Sequence, residues 1–205
     1  ATFGALISTQ LGRFSAEQVK GLNTGELVAL TTTQASGLAT SQIAALSAAQ
    51  LNAINTTVIG ALDTTQLDAL TTAQLKGLST TTFLALTPAQ LDSLSSAQDK
   101  GGLTTTVIAV MTTTQLAGLR PHFFGVITAQ LGALSTTNVT ALSTAQVGGF
   151  TAPEIGVLTT TQLNAFTTTN IATLTTTQIA GLTKTQIANL TTTAFGAFTA
   201  TQLSK

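Results

Sequence analysis

Apolar residues recur along this chain in pairs five positions apart, and the pair itself recurs every eight residues. The stretch LTTTQLNA FTTTNIAT LTTTQIAG LTKTQIAN L, residues 158–190, carries the repeat without a slip. Numbering each octad from its large apolar residue makes Leu174 position one, Thr175 position two, Gln178 position five, Ile179 position six and Gly181 position eight. The frame runs from Leu6 through Phe14 and Leu22 to Leu94, then at Leu103, Met111 and Leu119, then from Val126 to Phe198, giving 25 octads. Position one is apolar in all 25, and position six in all but Asp99. An alternating strand would send positions one and six to opposite faces. A helix keeps them together.

The polar positions say where each helix begins. Position two is Ser, Thr, Asn or Asp in 21 of the 25 octads, the exceptions being Ile7, Ala39, Arg120 and Ile127. These residues are preferred helix N-caps, because a side-chain oxygen accepts from a backbone amide that has no partner in the first turn. Three residues later, position five holds every glutamine of the chain, together with Glu26 and Glu154. That is a capping box, in which the later side chain reaches back to the cap's own amide; positions one and six then form a hydrophobic staple around it. Pro88 and Pro121 stand at position three and Pro153 one place further on, within a first turn where the missing N–H is harmless. Glu17, Glu26 and Glu154 fall where the helix dipole favours negative charge. Asn23, Asn55 and Asp63 replace Ser or Thr at the cap. Each substitution predicts one helix per octad.

Such a helix has about six residues and a length of roughly 9 Å. An isolated helix shorter than roughly 12–15 residues is marginal in water, and Thr-rich helices have poor propensity. Stacking has to supply the stability. Positions one, six and eight make one apolar stripe per unit, and Ala or Gly at eight lets backbones approach. The expected fold is all-α, a solenoid of very short capped helices. A β-solenoid is the alternative, since Thr, Val and Ile favour strands; the spacing of positions one and six, the Ala-rich octads at 41–54 and the cap substitutions weigh against it. The number of octads per coil stays open. Replacements at position five recur three octads apart at Val58, Thr82 and Val107, but two apart at Asn138, Glu154 and Asn170.

Residues 1–205 read as a single array with a register break at 98–126. One residue enters at QDKGGL (98–103) and one is lost at LRPHFFGV (119–126), with the apolar VIAVM (107–111) between. Paired glycines and a lost staple predict a loop or bulge at the first of these. The break gathers Asp99, Lys100, Arg120, His122, Phe123 and Phe124. They are either a partner or ligand site, as insertions in solenoids often are, or a packing irregularity filled by two Phe rings. Lys20, Asp68, Lys76 and Asp92 share position seven, which predicts a solvated face. Phe3 and Ala5 suit positions six and eight, neither end looks like a polar cap, and the chain reads as a processed mature protein or a piece of a longer array.

Composition narrows the function. Only 7% of residues are charged and the net charge is zero, against about 25% charged in ordinary globular proteins. Nucleic acid and anionic membrane surfaces, which need clustered Lys or Arg, are disfavoured as partners. Without cysteine there is no disulfide, thiol catalysis or thiolate metal site. No apolar run reaches the ~18 residues of a membrane span. No phosphate loop, HExxH or nucleophile-elbow motif occurs. His122 is the lone histidine, the Ser and Thr residues are absorbed by capping, and the seven acids show no calcium-loop spacing. No catalytic residue, cofactor or metal is expected, and an enzyme is not.

LTPAQL (86–91) is similar to the opening of the helical repeats of transcription-activator-like effectors, through the capping box alone, since the long second helix and the base-reading pair are absent. More broadly, the tandem LTTTQ(I/L)xAL octads resemble Thr-rich octapeptide arrays of large secreted or surface proteins of bacteria, often adhesin-like. That resemblance covers nearly the whole chain and implies an extracellular or cell-surface location. The function expected is structural: an extracellular filament or surface fibre whose subunits assemble head to tail. The alternatives are an adhesin spacer, a Thr array facing ice, or a groove at 98–126 for a surface glycan or peptide.

Overall fold

The computed structural model describes residues 5–204; Phe3 and Lys205 lie outside the described residues. Among these are 24 α-helices of four to seven residues and one short 3-10 turn, Leu131–Ala133, so that every octad contributes one element. No strand occurs among the described residues, and the β-solenoid alternative is overturned. The reason is local: the capping residues arrest the chain in extended geometry for one residue and commit the next turn to helix.

The helix Thr72–Lys76 illustrates the unit. Thr71 caps it with φ −74° and ψ 156°; its Oγ1 accepts from the Gln74 amide at 3.2 Å, and Gln74 Oε1 accepts from the Thr71 amide at 2.7 Å. Pro88 opens the helix Pro88–Asp92, and Pro153 lies in the first turn of Ala152–Val157. Where position two cannot cap, half of the box suffices at two sites. Gln10 Oε1 accepts from the Ile7 amide at 3.0 Å and Gln42 Oε1 from the Ala39 amide at 2.7 Å, and both helices form.

The chain divides into two compact units, Ala1–Val107 and Ile108–Lys205. In the first, Ser8–Leu11 packs against Thr32–Ser36, Ala16–Lys20 against Thr40–Ala45, Thr24–Val28 against Ala48–Ala53, and Thr72–Lys76 against Ser96–Gly102. In the second, Thr144–Gly148 packs against Thr168–Thr173 and Ala152–Val157 against Thr176–Ile179. Each of these partners lies three octads on, so each unit is a solenoid with three octads per coil. The three-octad spacing of the first half marks stacked positions: Val58 and Thr82 sit on the packed helices Thr56–Ala61 and Thr80–Leu84. The two-octad spacing of Asn138, Glu154 and Asn170 does not.

Positions one and six fill the interior of each unit. Leu27, Ile43, Leu116 and Ile155 are fully buried, while Lys20, Asp68 and Lys76 at position seven are exposed and Asp92 is half-buried. Position eight is small because it lies on position three of the preceding coil. A Cβ on Gly37 would fall 2.6 Å from the Ser8 side chain, and one on Gly181 would enter the backbone of Ala152.

The register break corrects two expectations. QDKGGL is helical: the extra residue lengthens the helix to Ser96–Gly102, and no loop forms. Its glycines let it lie close against Thr72–Lys76, since a Cβ on Gly102 would sit 2.7 Å from the Leu75 Cβ and one on Gly101 3.4 Å from the Thr72 methyl. At the second slip, Val126 ends the helix His122–Val126 half-buried and Ile127 is fully buried in its place. Position one has passed to Ile127, which therefore cannot cap, and the following turn closes only as the 3-10 element Leu131–Ala133.

Candidate functional site

Of the residues gathered at the break, Asp99 and Lys100 belong to the first unit and the other four to the second. Asp99 takes the position-six place and is 2% exposed, and Lys100 is exposed. Phe123 and Phe124 are buried, with ring centroids 5.5 Å apart and edge to face. Phe124 meets Phe150 at 5.2 Å, and Phe150 meets Phe166 at 6.4 Å. The two rings thus belong to an aromatic interior, whereas Arg120 and His122 stand exposed at the start of the helix. Among the described residues no three His, Asp or Glu side chains gather as a metal site would require, and no helix is long and apolar enough to cross a membrane.

The feature the sequence did not disclose is the second task of position five. While Gln74 Oε1 closes the capping box, its Nε2 donates to the carbonyls of Ile43 at 2.9 Å and Leu46 at 2.6 Å in the preceding coil. Gln42 binds Leu11 and Phe14 in the same way, Gln90 binds Ile59 and Leu62, Gln162 binds Leu131 and Leu134, and Gln178 binds Val147 and Phe150. The acceptors are a position-six carbonyl and the position-one carbonyl that follows it, which a helix C-terminus leaves without intrahelical partners. One amide therefore completes the N-terminus of its own helix and the C-terminus of the helix beneath. A signal for this was present: a capping box accepts Glu or Gln, yet position five holds 16 Gln and two Glu.

The replacements obey the same geometry. Asn138 and Asn170 have shorter side chains and reach one carbonyl each, Met111 at 2.9 Å and Leu142 at 3.0 Å. Glu154 is 3% exposed and has no amide to give. Its Oε2 accepts from the Thr151 amide and its Oε1 from the Thr128 hydroxyl at 2.9 Å, so the irregular turn beneath it supplies a donor where regular coils supply acceptors. A second clamp runs to the following coil: Asn52 donates to the Gly77 carbonyl and accepts from the Ser79 amide, and Asn164 does likewise with Asn189 and Thr191.

The largest departure from interior packing is at the last coil. Ile187 and Phe195 are each 49% exposed and Leu203 55%, whereas of their position-six counterparts one coil earlier Leu163 and Ile171 are 3% exposed and Ile179 is half-buried. Together with Ile179, Leu182, Leu190 and Phe198 they line an apolar cavity of about 80 Å³. That is well below the ~300–1,000 Å³ of small-molecule pockets; its shape is that of a core cut across. In the first coil the position-six residues Leu11, Val19 and Leu27 are fully buried, while Gln10 and Gln18 are exposed together with Ile7 and Val28.

Residues 69–74 read Ala-Leu-Thr-Thr-Ala-Gln, which is position eight of one octad followed by positions one to five of the next. The ALTTAQ repeat family matches the chain at residues 43–80, 128–160 and 155–192, half of its length between them. No curated protein matches it. With the matched segments lying in both units, and both units built from the same capped octad, the chain belongs to the ALTTAQ-repeat family.

Proposed function

We propose that this is a structural, non-catalytic repeat protein that assembles end to end into an extracellular filament or surface fibre. The observation that carries the reading is the uniform stacking within each unit, where octads pack on octads three places earlier through the same Gln clamp and the same buried position-six residues. A stacking repeat gains its stability from neighbouring repeats, so the partner that fits such a coil is another coil of the same kind. Contacts of unlike faces repeat without closing and give linear assemblies. The absence of catalysis is proposed because cap hydroxyls are held by backbone amides, as at Thr71, Ser95 and Thr159. The proposed location follows the likeness of the octads to Thr-rich secreted and surface arrays.

Electron microscopy and sedimentation velocity across a concentration series test the reading. Species that lengthen with concentration at constant width are expected, with a helical far-UV spectrum. A monodisperse monomer at the highest concentration would contradict it. With no Trp or Tyr in the chain, detection has to use interference optics or peptide absorbance.

A further inference from the structure

Two octads receive from the coil before them what Gln supplies elsewhere. In the octad that begins at Leu78, position five is Thr82, whose hydroxyl lies 2.9 Å from that of Ser79; in the octad that begins at Leu190 it is Ala194. Neither side chain reaches back to the cap's backbone amide as Gln74 does. The acceptor comes instead from position seven of the preceding coil. Asn52 Oδ1 accepts from the Ser79 amide at 2.8 Å, and Asn164 Oδ1 from the Thr191 amide at 2.9 Å. The same side chains donate through Nδ2 to the position-eight carbonyls of Gly77 and Asn189, each at 2.9 Å. One such pair lies within each unit.

An Asn completes this clamp only where the cap amide is still open. One octad before the target of Asn52, the Thr71 amide is held by Gln74, and one octad after it the Thr87 amide is held by Gln90. Around the target of Asn164, the Thr183 amide is held by Gln186 and the Thr199 amide by Gln202. A slip of one octad in either direction would set the Asn oxygen against an amide already bonded. Asn stands at position seven at these two places alone, and thirty residues on, at Thr82 and Ala194, the glutamine is missing both times. The converse does not hold: thirty residues before Val58 stands Val28.

We propose that Asn at position seven, paired with a residue other than Gln thirty positions later, is a register key. It selects which octad of the next coil stacks at that corner, in a chain whose other octads offer nearly the same Gln and the same carbonyls. Asn52 and Asn164 are the positioning residues of the two units, one in each.

A double-mutant cycle on Asn52→Ala and Thr82→Gln tests this. Thr82→Gln supplies an acceptor to the Ser79 amide from within its own octad. Whatever its amide gains from the carbonyls of the coil before is common to both backgrounds, and the cycle cancels it. Urea titrations followed by circular dichroism give the folding constants, and hydrogen exchange reads the Ser79 amide. Asn52→Ala alone is expected to lower the folding constant about tenfold, for two partly exposed hydrogen bonds, and to speed exchange at Ser79. In the Thr82→Gln background the same substitution should cost about threefold or less and leave Ser79 protected. Equal losses in the two backgrounds, or unchanged exchange at Ser79 in Asn52→Ala, would overturn the key. Should Asn52→Ala alone not fold, a folded double variant with Ser79 protected supports the key and an unfolded one overturns it. Ala44 gives the control for selectivity: it stands at position seven one octad before Asn52, and the amide 27 residues beyond it is that of Thr71, already filled. Asn52→Ala/Ala44→Asn should therefore be no more stable than Asn52→Ala, and recovery by the transplanted Asn would show that the position carries no register information.

Discussion

A side-chain amide accepts at one atom and donates twice at another, and position five uses each of these capacities. Gln74 is 5% exposed and its side chain makes four bonds, two within its own octad and two to the coil before. Replacing it by Glu keeps the bonds within the octad and sets a buried carboxylate against two carbonyl oxygens, for an expected loss of ~3 kcal/mol or more. The same exchange at exposed Gln18, whose Nε2 meets no acceptor among the described residues, should stay within about 0.5 kcal/mol. Urea midpoints followed by circular dichroism decide the matter, and equal effects at the two sites would show that the clamp adds nothing. Glu154 inverts the polarity, so its partner is the sensitive residue: Thr128→Val strips the donor from its Oε1 and should cost ~1–3 kcal/mol, whereas Thr128→Ser keeps the hydroxyl and should cost clearly less.

Elements as short as these are decided by their ends and by what lies beneath them. The caps were legible because each bond spans three residues. The lengthened helix Ser96–Gly102 was not, because a Gly pair and a polar residue at position six look locally like a break, while the surface that accommodates them is Leu75 in the preceding coil. Gly102→Ala should therefore destabilise by about 1–3 kcal/mol through overpacking. Gly148 is exposed at the end of Thr144–Gly148, and a Cβ there would meet nothing within 4 Å, so Gly148→Ala should stabilise by up to ~1 kcal/mol through helix propensity. Thermal melts of the two variants should move in opposite directions; a fall in both would mean that backbone freedom, and not the space at Leu75, sets the effect.

In the molecule as a whole, three octads per coil make 24 residues the natural unit of length. Deleting residues 158–181 removes one coil and leaves every later octad on an equivalent neighbour, so the helical signal per residue should persist with a modestly lower melting temperature, as nearest-neighbour stacking implies. Deleting only residues 166–173 moves each later octad round by one corner, parting Asn164 from Asn189 and Thr191 and Gly181 from Ala152. The shorter deletion is expected to be the more damaging. If the eight-residue deletion proved the milder one, the octads would be interchangeable and the clamps between coils incidental.

The sequence by itself determined the octad, its cap, its staple and hence a helix in each repeat, because all of these are interactions between residues at most a few positions apart. It also marked Phe123 and Phe124 as unusual without saying that they join Phe150 and Phe166 in an interior. Tertiary structure decided how many octads close a coil and that the position-five amides reach back to the carbonyls of the coil before. Those depend on bonds between residues 27 to 31 apart, and in a chain that offers a Gln and an apolar pair in nearly every octad, identical partners stand at every candidate register. Only packing in three dimensions, through Gly on Ala and amide on carbonyl, selects among them.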